Sequence, residues 1–163
     1  MEIVVRALLK TDWNSVSKIY ADGITTGIAT FETEIPDWKT WNKKYIDSCR
    51  IVAIENKNVV GFALLSLVSQ RDVYRGVAEV TLYVDKESQG KGVGKTLLNE
   101  LIKQSEINDF WTLQAGIFSE NIASIELHKK CGFRIVGVKE KIGQLNGKWY
   151  DNHFLERRSK KIN

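Results

Sequence analysis

The chain has 163 residues, 43% hydrophobic and 27% charged, enough to close one domain around a sizeable core. Its net charge of +4 comes from 24 basic and 20 acidic residues, and Arg157, Arg158, Lys160 and Lys161 account for the whole excess; the basic tail from about residue 157 reads as solvated, and the balanced body excludes a clustered nucleic-acid face. No apolar run reaches the ~18 residues of a membrane span, Met1-Glu2-Ile3-Val4-Val5-Arg6 lacks the order of a secretory leader, and two distant cysteines with only two histidines fit reduced cytoplasmic thiols, not a disulfide or metal framework.

Residues 2–8 read as a first strand. Thr11 or Asp12 can cap a helix that turns Val16, Ile19 and Tyr20 inward. Gly23 and Gly27 loosen the chain up to Phe31-Glu32, and Pro36 suits the first turn of a second helix over residues 36–48. Strands over 50–55 and 59–69 flank a hairpin-like turn, and a third covers 78–84. Val93, Leu97, Leu98, Leu101 and Ile102 then share one helical face. A buried-type strand over 111–117, a helix opening at Asn121 and a strand pair over 133–141 and 148–155 complete the order, with the last turn between Gly143 and Gly147. The pattern β-α-α-β-β-β-α-β-α-β-β predicts one α+β domain over residues 1–163, with a mixed sheet of about seven strands and about four helices.

Gln89-Gly90-Lys91-Gly92-Val93-Gly94-Lys95 lies between the third of these strands and the long helix. The first amides of a helix lack intrahelical partners and sit at the positive end of its dipole, so a glycine-rich approach to them suits a phosphate. A Walker loop needs a glycine where Gln89 stands, and in a dinucleotide fingerprint the third glycine would come one residue later. Further on, Asn121 is placed to cap the helix that ends at Gly132-Phe133, with His128 in its last turns.

The loop resembles the Gln/Arg-x-x-Gly-x-Gly/Ala pyrophosphate loop of the GCN5-related N-acetyltransferases (GNAT), and Asn121-Ile-Ala-Ser-Ile-Glu-Leu-His128-Lys-Lys-Cys-Gly132-Phe133 resembles the superfamily's later helix. Gly27-Ile-Ala-Thr-Phe-Glu-Thr33, Trp111-Thr-Leu-Gln-Ala-Gly-Ile-Phe-Ser-Glu-Asn121 and Gly147-Lys-Trp149-Tyr-Asp151 are similar to segments of the phosphinothricin and methionine sulfone/sulfoximine acetyltransferases. One departure stands out: family members often carry a histidine after the strand glutamate, and here Glu79 is followed by Val80-Thr81.

The resemblance implies the GNAT fold, acetyl-CoA as cosubstrate, no metal, and a homodimer. It places the pantetheine arm against Leu82, Tyr83 and Val84, the pyrophosphate on the amides of Gly90, Lys91, Gly92, Val93, Gly94 and Lys95 beside Gln89, and Asn121 on the arm. Glu79, on the same face as Thr81 and Tyr83, is the general base, its proton affinity raised in a half-buried cleft. His128 stands where relatives carry a tyrosine that protonates the leaving thiolate, with Tyr83 and Tyr150 as other donors. For an amino-acid-like amine, Arg71 and Arg75 flanking Tyr74 offer a fork for an anionic head, with Phe31 and Glu32 as the opposite wall. Cys49 and Cys131 are not placed as acyl carriers, which implies direct attack in a ternary complex. The implied reaction is acetylation of phosphinothricin, methionine sulfone or methionine sulfoximine, in detoxification or in an unassigned metabolic role. A protein N-terminus as acceptor and a non-catalytic CoA-binding module are the alternatives.

Overall fold

The computed structural model describes residues 2–163; Met1, the first residue of the leader-like comparison above, lies outside them. One mixed sheet of seven strands runs in the order β1-β2-β3-β4-β5-β7-β6. The strands are β1 (Val4–Ala7), β2 (Ile51–Glu55), β3 (Asn58–Leu67), β4 (Val77–Val84), β5 (Thr112–Phe118), β6 (Arg134–Leu145) and β7 (Lys148–Arg158). The helices are α1 (Trp13–Thr25), α2 (Trp38–Lys44), α3 (Val93–Ile107) and α4 (Ile122–Lys130). No helix among the described residues is long and apolar enough to cross a membrane.

Each face of the sheet carries its own core. On one face α3 lays Val93, Leu97, Leu98, Leu101 and Ile102 over Ile51, Ala53, Ala63, Leu65, Ala78, Leu113, Ala115 and Leu155, the stripe that the 3.6-residue period predicts. Leu97, Leu98 and Leu101 are fully buried, each worth about 2 kcal/mol of transfer free energy. On the other face α1 and α2 pack Val16, Ile19, Tyr20, Trp41 and Tyr45 against Val52, Phe62 and Leu64. Strand alternation therefore sends Ala78, Val80, Leu82 and Val84 of β4 toward α3, and Glu79, Thr81 and Tyr83 toward α1 and α2.

Several boundaries differ from the sequence reading. Asp12 does not cap α1 with its side chain; its carboxylate takes both Arg6 guanidinium nitrogens at 2.8 Å and the Leu9 amide at 2.8 Å, and the Arg6 hydrogen bond holds it below the usual carboxylate range. The second helix is shorter than 36–48: Asp37 accepts from the Thr40 amide at 2.8 Å and starts it, and the backbone turns extended at Tyr45. The last hairpin turns at Asn146-Gly147, both at positive φ (50° and 79°), as a two-residue primed turn requires.

The C-terminal basic residues are partly tied to the fold, although Arg158, Lys160 and Lys161 are exposed. Arg157 and Arg158 belong to β7, and Arg157 and Lys161 each reach Glu106 near the end of α3, both at 3.1 Å. Ser159 Oγ donates to the same carboxylate at 2.9 Å. Burial pushes Glu106 up, but the bonds from Ser159, Lys161 and Arg157 together outweigh it and hold the carboxyl below its usual value. A lowered folded-state value stabilises the fold above the ordinary glutamate value and loses that contribution as pH falls through the lower one. Glu106→Ala is expected to cost about 2–3 kcal/mol in urea unfolding at pH 7, with a smaller difference from the parent chain below about pH 4.

Candidate active site

β4 and β5 run parallel, yet they pair over only three positions, Val77 with Thr112, Ala78 with Leu113 and Glu79 with Gln114. Beyond that last rung the strands part. β4 stays paired to β3 as far as Gly61–Val84, and β5 stays paired to β7 as far as Phe118–Asn152. The inner backbone edges of residues 80–84 and 115–118 are therefore unpaired with one another, which an interior sheet position tolerates only where something else can meet them. The gap opens into a cleft of about 1540 Å³.

The glycine-rich loop closes one end of this cleft. A short 3₁₀ turn at Lys86–Ser88 leads into Gln89, Gly90 and Gly92 stand at φ 75° and 87°, and α3 begins at Val93 with no side-chain cap. The amides at the start of α3 thus stay available for an anion. A Cβ on Gly94 would lie 3.0 Å from the Leu127 side chain, so glycine lets α3 close on α4. Gln89, Gly90, Gly92, Gly94 and Lys95 line the cleft, as do Leu82, Tyr83, Val84 and Asn121. Asn121 also caps α4, accepting from the Ser124 amide at 3.2 Å. The side chains of Lys91 and Val93 do not line it: Val93 is buried in the α3 core and Lys91 is exposed.

Glu79 lines the cleft at the last rung, but its side chain is exposed rather than half-buried. Thr81 and Tyr45 stand beside it on the same wall, and Tyr45 is raised chiefly by its burial, with Thr81 hydrogen-bonded to it and the Glu79 charge adding a further rise. Tyr83 is pushed far up by burial, so its phenol stays protonated and keeps its O–H as a donor.

His128 lines the cleft from α4 and is 4% exposed. Its Nδ1 sits 2.7 Å from the Ser124 carbonyl oxygen, which can only accept, so Nδ1 carries the hydrogen. Phe133 packs edge-on against the ring at 5.0 Å. Burial lowers its proton affinity, more than the Ser124 bond raises it. With Nδ1 donating to Ser124, Nε2 of the neutral ring is an acceptor, not the hydrogen-bearing nitrogen that a proton donor toward the cleft needs.

The expected arginine fork is not assembled. Arg71 lies over the Tyr74 ring at 5.4 Å and Arg75 over the Trp111 ring at 5.6 Å, and neither lines the cleft. Tyr74 lines a separate groove with Val68, Trp111, Gln114 and Glu156, which meets the cleft at Val68 and Gln114. Glu32 is exposed outside the cleft. Phe31 does form a wall, its ring tilted 46° against Phe118 at 4.4 Å and pressed against Gly143, where a Cβ would lie 2.7 Å from the ring. Tyr20, Tyr45, Thr81, Gln114, Asn152 and His153 line the cleft without having been singled out in the sequence. The period-2 pattern marks Thr81 as a neighbour of Glu79; the others are brought in only by strand order and register.

A split parallel pair beside an uncapped, glycine-entered helix makes a cleft whose free amides suit an anionic ligand. The family model described as an acetyltransferase (GNAT) domain matches residues 5–154, and the chain belongs to that family of acetyltransferases. Phosphinothricin N-acetyltransferase of Alcaligenes faecalis is 33% identical over 159 residues, 94% of this chain and 81% of that one. The L-methionine sulfoximine/L-methionine sulfone acetyltransferase of Pseudomonas aeruginosa is 36% identical over 98 residues, 60% of this chain and 57% of its own. Among solved structures, a GNAT superfamily phosphinothricin acetyltransferase from Sinorhizobium meliloti in complex with AcCoA superposes with a TM-score of 0.89 at 28% identity, covering 100% of this chain and 91% of that one. The ribosomal-protein-alanine N-acetyltransferase of Brucella melitensis gives 0.88 at 27% identity, covering 96% and 99%.

Two outcomes follow from the site. Gly92→Ala forces a side chain onto a backbone at φ 87°, at a cost of about 1–2 kcal/mol that thermal unfolding should register. The depressed proton affinity of His128 makes the folded state favour the neutral ring; stability is full above the ordinary histidine value of about 6.5 and declines as pH falls through the lower folded value. His128→Gln should flatten that acid-side fall in Tm measured from pH 8 to pH 5.

Proposed function

We propose that this acetyltransferase moves the acetyl group of acetyl-CoA onto the amino group of a small amino-acid-like substrate, of the phosphinothricin, methionine sulfone or methionine sulfoximine type, by direct attack in a ternary complex. The observation that carries the reading is the parting of β4 from β5 at Glu79–Gln114, with the free start of α3 on one side and Glu79 on the other. Residues 82–84 and Asn121 would hold the pantetheine arm, and the amides of the 90–95 loop the pyrophosphate; the unpaired backbone and positive-φ glycines fit such a ligand. When bound, acetyl-CoA supplies an activated thioester.

The chain's own residues then have separable tasks. The unpaired N–H groups on the inner edge of β4 act as fixed donors toward a carbonyl oxygen that gains negative charge. Glu79 takes the proton that the substrate ammonium must lose before it can attack, directly or through water. Phe31 and Phe118 supply an apolar wall of the cleft. His128 contributes Nε2 as an acceptor, and the phenol of Tyr45 stands on the wall beside Glu79 as a protonated donor. Direct attack is favoured because Cys49 and Cys131 are buried, and burial raises both thiols away from the thiolate form an acyl carrier needs. The reading includes a homodimer in the cytoplasm; the exposed Ile135, Val136, Val138, Ile142 and Trp149 of the last hairpin and the free cysteines support it.

The test follows CoA thiol release with a panel of amines. Phosphinothricin, methionine sulfone and methionine sulfoximine should turn over, and Glu79→Gln should lower kcat by about a hundredfold while the Kd for acetyl-CoA stays unchanged. An unaltered kcat in that variant removes Glu79 as the base, and turnover confined to short peptides discards the small amino acid as acceptor.

A further inference from the structure

The segment that leaves α2 is fixed more firmly than a connection needs. The side chain of Arg50 is 10% exposed. Its Nε donates to the Ile46 carbonyl oxygen at 2.6 Å, and its Nη2 to those of Tyr45 at 2.7 Å and Asn42 at 2.9 Å, while Nη1 reaches Asn42 Oδ1. The Ile46 amide in turn donates to the Leu65 carbonyl oxygen at 2.9 Å, beyond the Ile51–Ala63 rung at which β2 begins. Residues 42–46 are therefore held on one side by a planar guanidinium fork and on the other by β3.

This anchoring sets one side chain. Leu65 pairs with Val80, the residue between Glu79 and Thr81. Ile46 packs on the α3 core, and Tyr45, with extended backbone (φ −106°, ψ 149°), turns to the opposite face, as strand-like alternation requires. Tyr45 therefore stands over β3 at the level of Glu79 and Thr81, 7% exposed and on the wall of the cleft, with its phenol hydrogen-bonded to Thr81. Each of these hydroxyls brings one hydrogen, and the bond between them uses one of the two. Glu79 is the carboxylate left to receive the other. It makes no hydrogen bond or ion pair to another side chain among the described residues, whereas Asp22 and Glu126, which also line the cleft, are paired with Lys18 and Lys129 on their own helices.

We infer that the Tyr45–Thr81 hydroxyl pair, pinned in place by Arg50, orients the Glu79 carboxylate, directly or through one water, for removal of the proton from the acceptor ammonium. The assignment rests on the reading of Glu79 as the base. An exposed glutamate on a strand samples several rotamers, and a base works only when its oxygen lies within hydrogen-bond reach of the proton it takes; a fixed donor on one side of the carboxylate restricts that sampling. Tyr45, Thr81 and Arg50 are positioning residues that act through Glu79, so their loss should appear in kcat and not in the affinity for either reactant.

The experiment measures kcat, KM and the Kd for acetyl-CoA, with the fastest amine of the panel above as acceptor, in the parent chain and in Tyr45→Phe, Thr81→Val, Thr81→Ser, Arg50→Lys, the Arg50→Lys/Tyr45→Phe double variant and Glu79→Gln. Tyr45→Phe and Thr81→Val keep the shape of the side chains they replace, so they decide the question even if Arg50→Lys does not fold. Each should lower kcat by about tenfold with KM and Kd unchanged, and Thr81→Ser, which keeps the hydroxyl, should retain the parent kcat. Arg50→Lys should lower kcat similarly and add little once Tyr45 is Phe, because both act through one hydroxyl. A parent kcat in Tyr45→Phe and Thr81→Val, a loss in KM instead of kcat, or additive losses in the double variant each overturn the assignment. If Glu79→Gln is slow while Tyr45→Phe is not, the hydroxyl pair falls and the base stands; a parent kcat in Glu79→Gln removes the base and the pair's role with it.

Discussion

A parallel strand pair normally hydrogen-bonds along its length, and β4 with β5 does so for three positions before separating. The separation is enforced from both sides. β4 follows β3 through a seven-residue antiparallel register, β5 follows β7 through another, and the Phe31–Phe118 stack occupies the widening gap on the α1 and α2 face. The backbone groups left over face the cleft without a strand partner across it. Glu79 and Gln114 acquire their place because they form the last closed rung, and the glycine-entered start of α3 acquires its role because it faces the open end.

The two faces of the sheet divide the labour. The α3 face is an apolar core whose packing of Leu97, Leu98 and Leu101 holds the helix and its loop at a fixed height above the sheet. The opposite face is aromatic near β3 and polar beyond β4, where Thr81, Glu79, Gln114, Asn152 and Lys139 succeed one another across four strands. α2 adds Tyr45 at its extended C-terminal cap. The free amides at the start of α3 lie on the first face, and Glu79 lies on the second. The geometry is thus suited to bringing two reactants to one seam from different sides.

Local pattern revealed much of this, and its failures have physical causes. The α3 stripe, the glycine loop and the Asn121 cap depend on neighbours a few residues away, so the sequence displays them directly. Asn146-Gly147 was equally local, and the turn was set too broadly only because the two flanking glycines drew attention from the dipeptide. Arg71 and Arg75 were misjudged because a guanidinium has two favourable choices, an anion or an aromatic face, and Tyr74 and Trp111 supply the second. His128 was misjudged because the hydrogen bond to Ser124, one turn back on its own helix, fixes which nitrogen carries the proton. Asn152 and Tyr45 could not be read at all: nothing near them in the chain resembles a motif, and strand register carries the first to the cleft while the packing of α2 on the sheet carries the second. The C-terminal basic residues illustrate the same limit, since their partner Glu106 lies about fifty positions earlier.

β6 is the outermost strand of the sheet and spans 12 residues. Its free edge is a row of backbone donors and acceptors, and Ile135, Val136, Val138 and Ile142 are exposed along it. Such an edge templates the addition of further strands unless something interrupts it. Here the interruption is built from Lys139, Lys141 and the irregular register between Lys139 and Gly143, where Lys141 takes a positive φ and its amide turns to Asp151. The lysines that edge this hairpin therefore guard the protein's colloidal behaviour: removing their charge by acetylation would uncover an apolar, hydrogen-bonding border at which copies of the chain could stack into fibrils or precipitate.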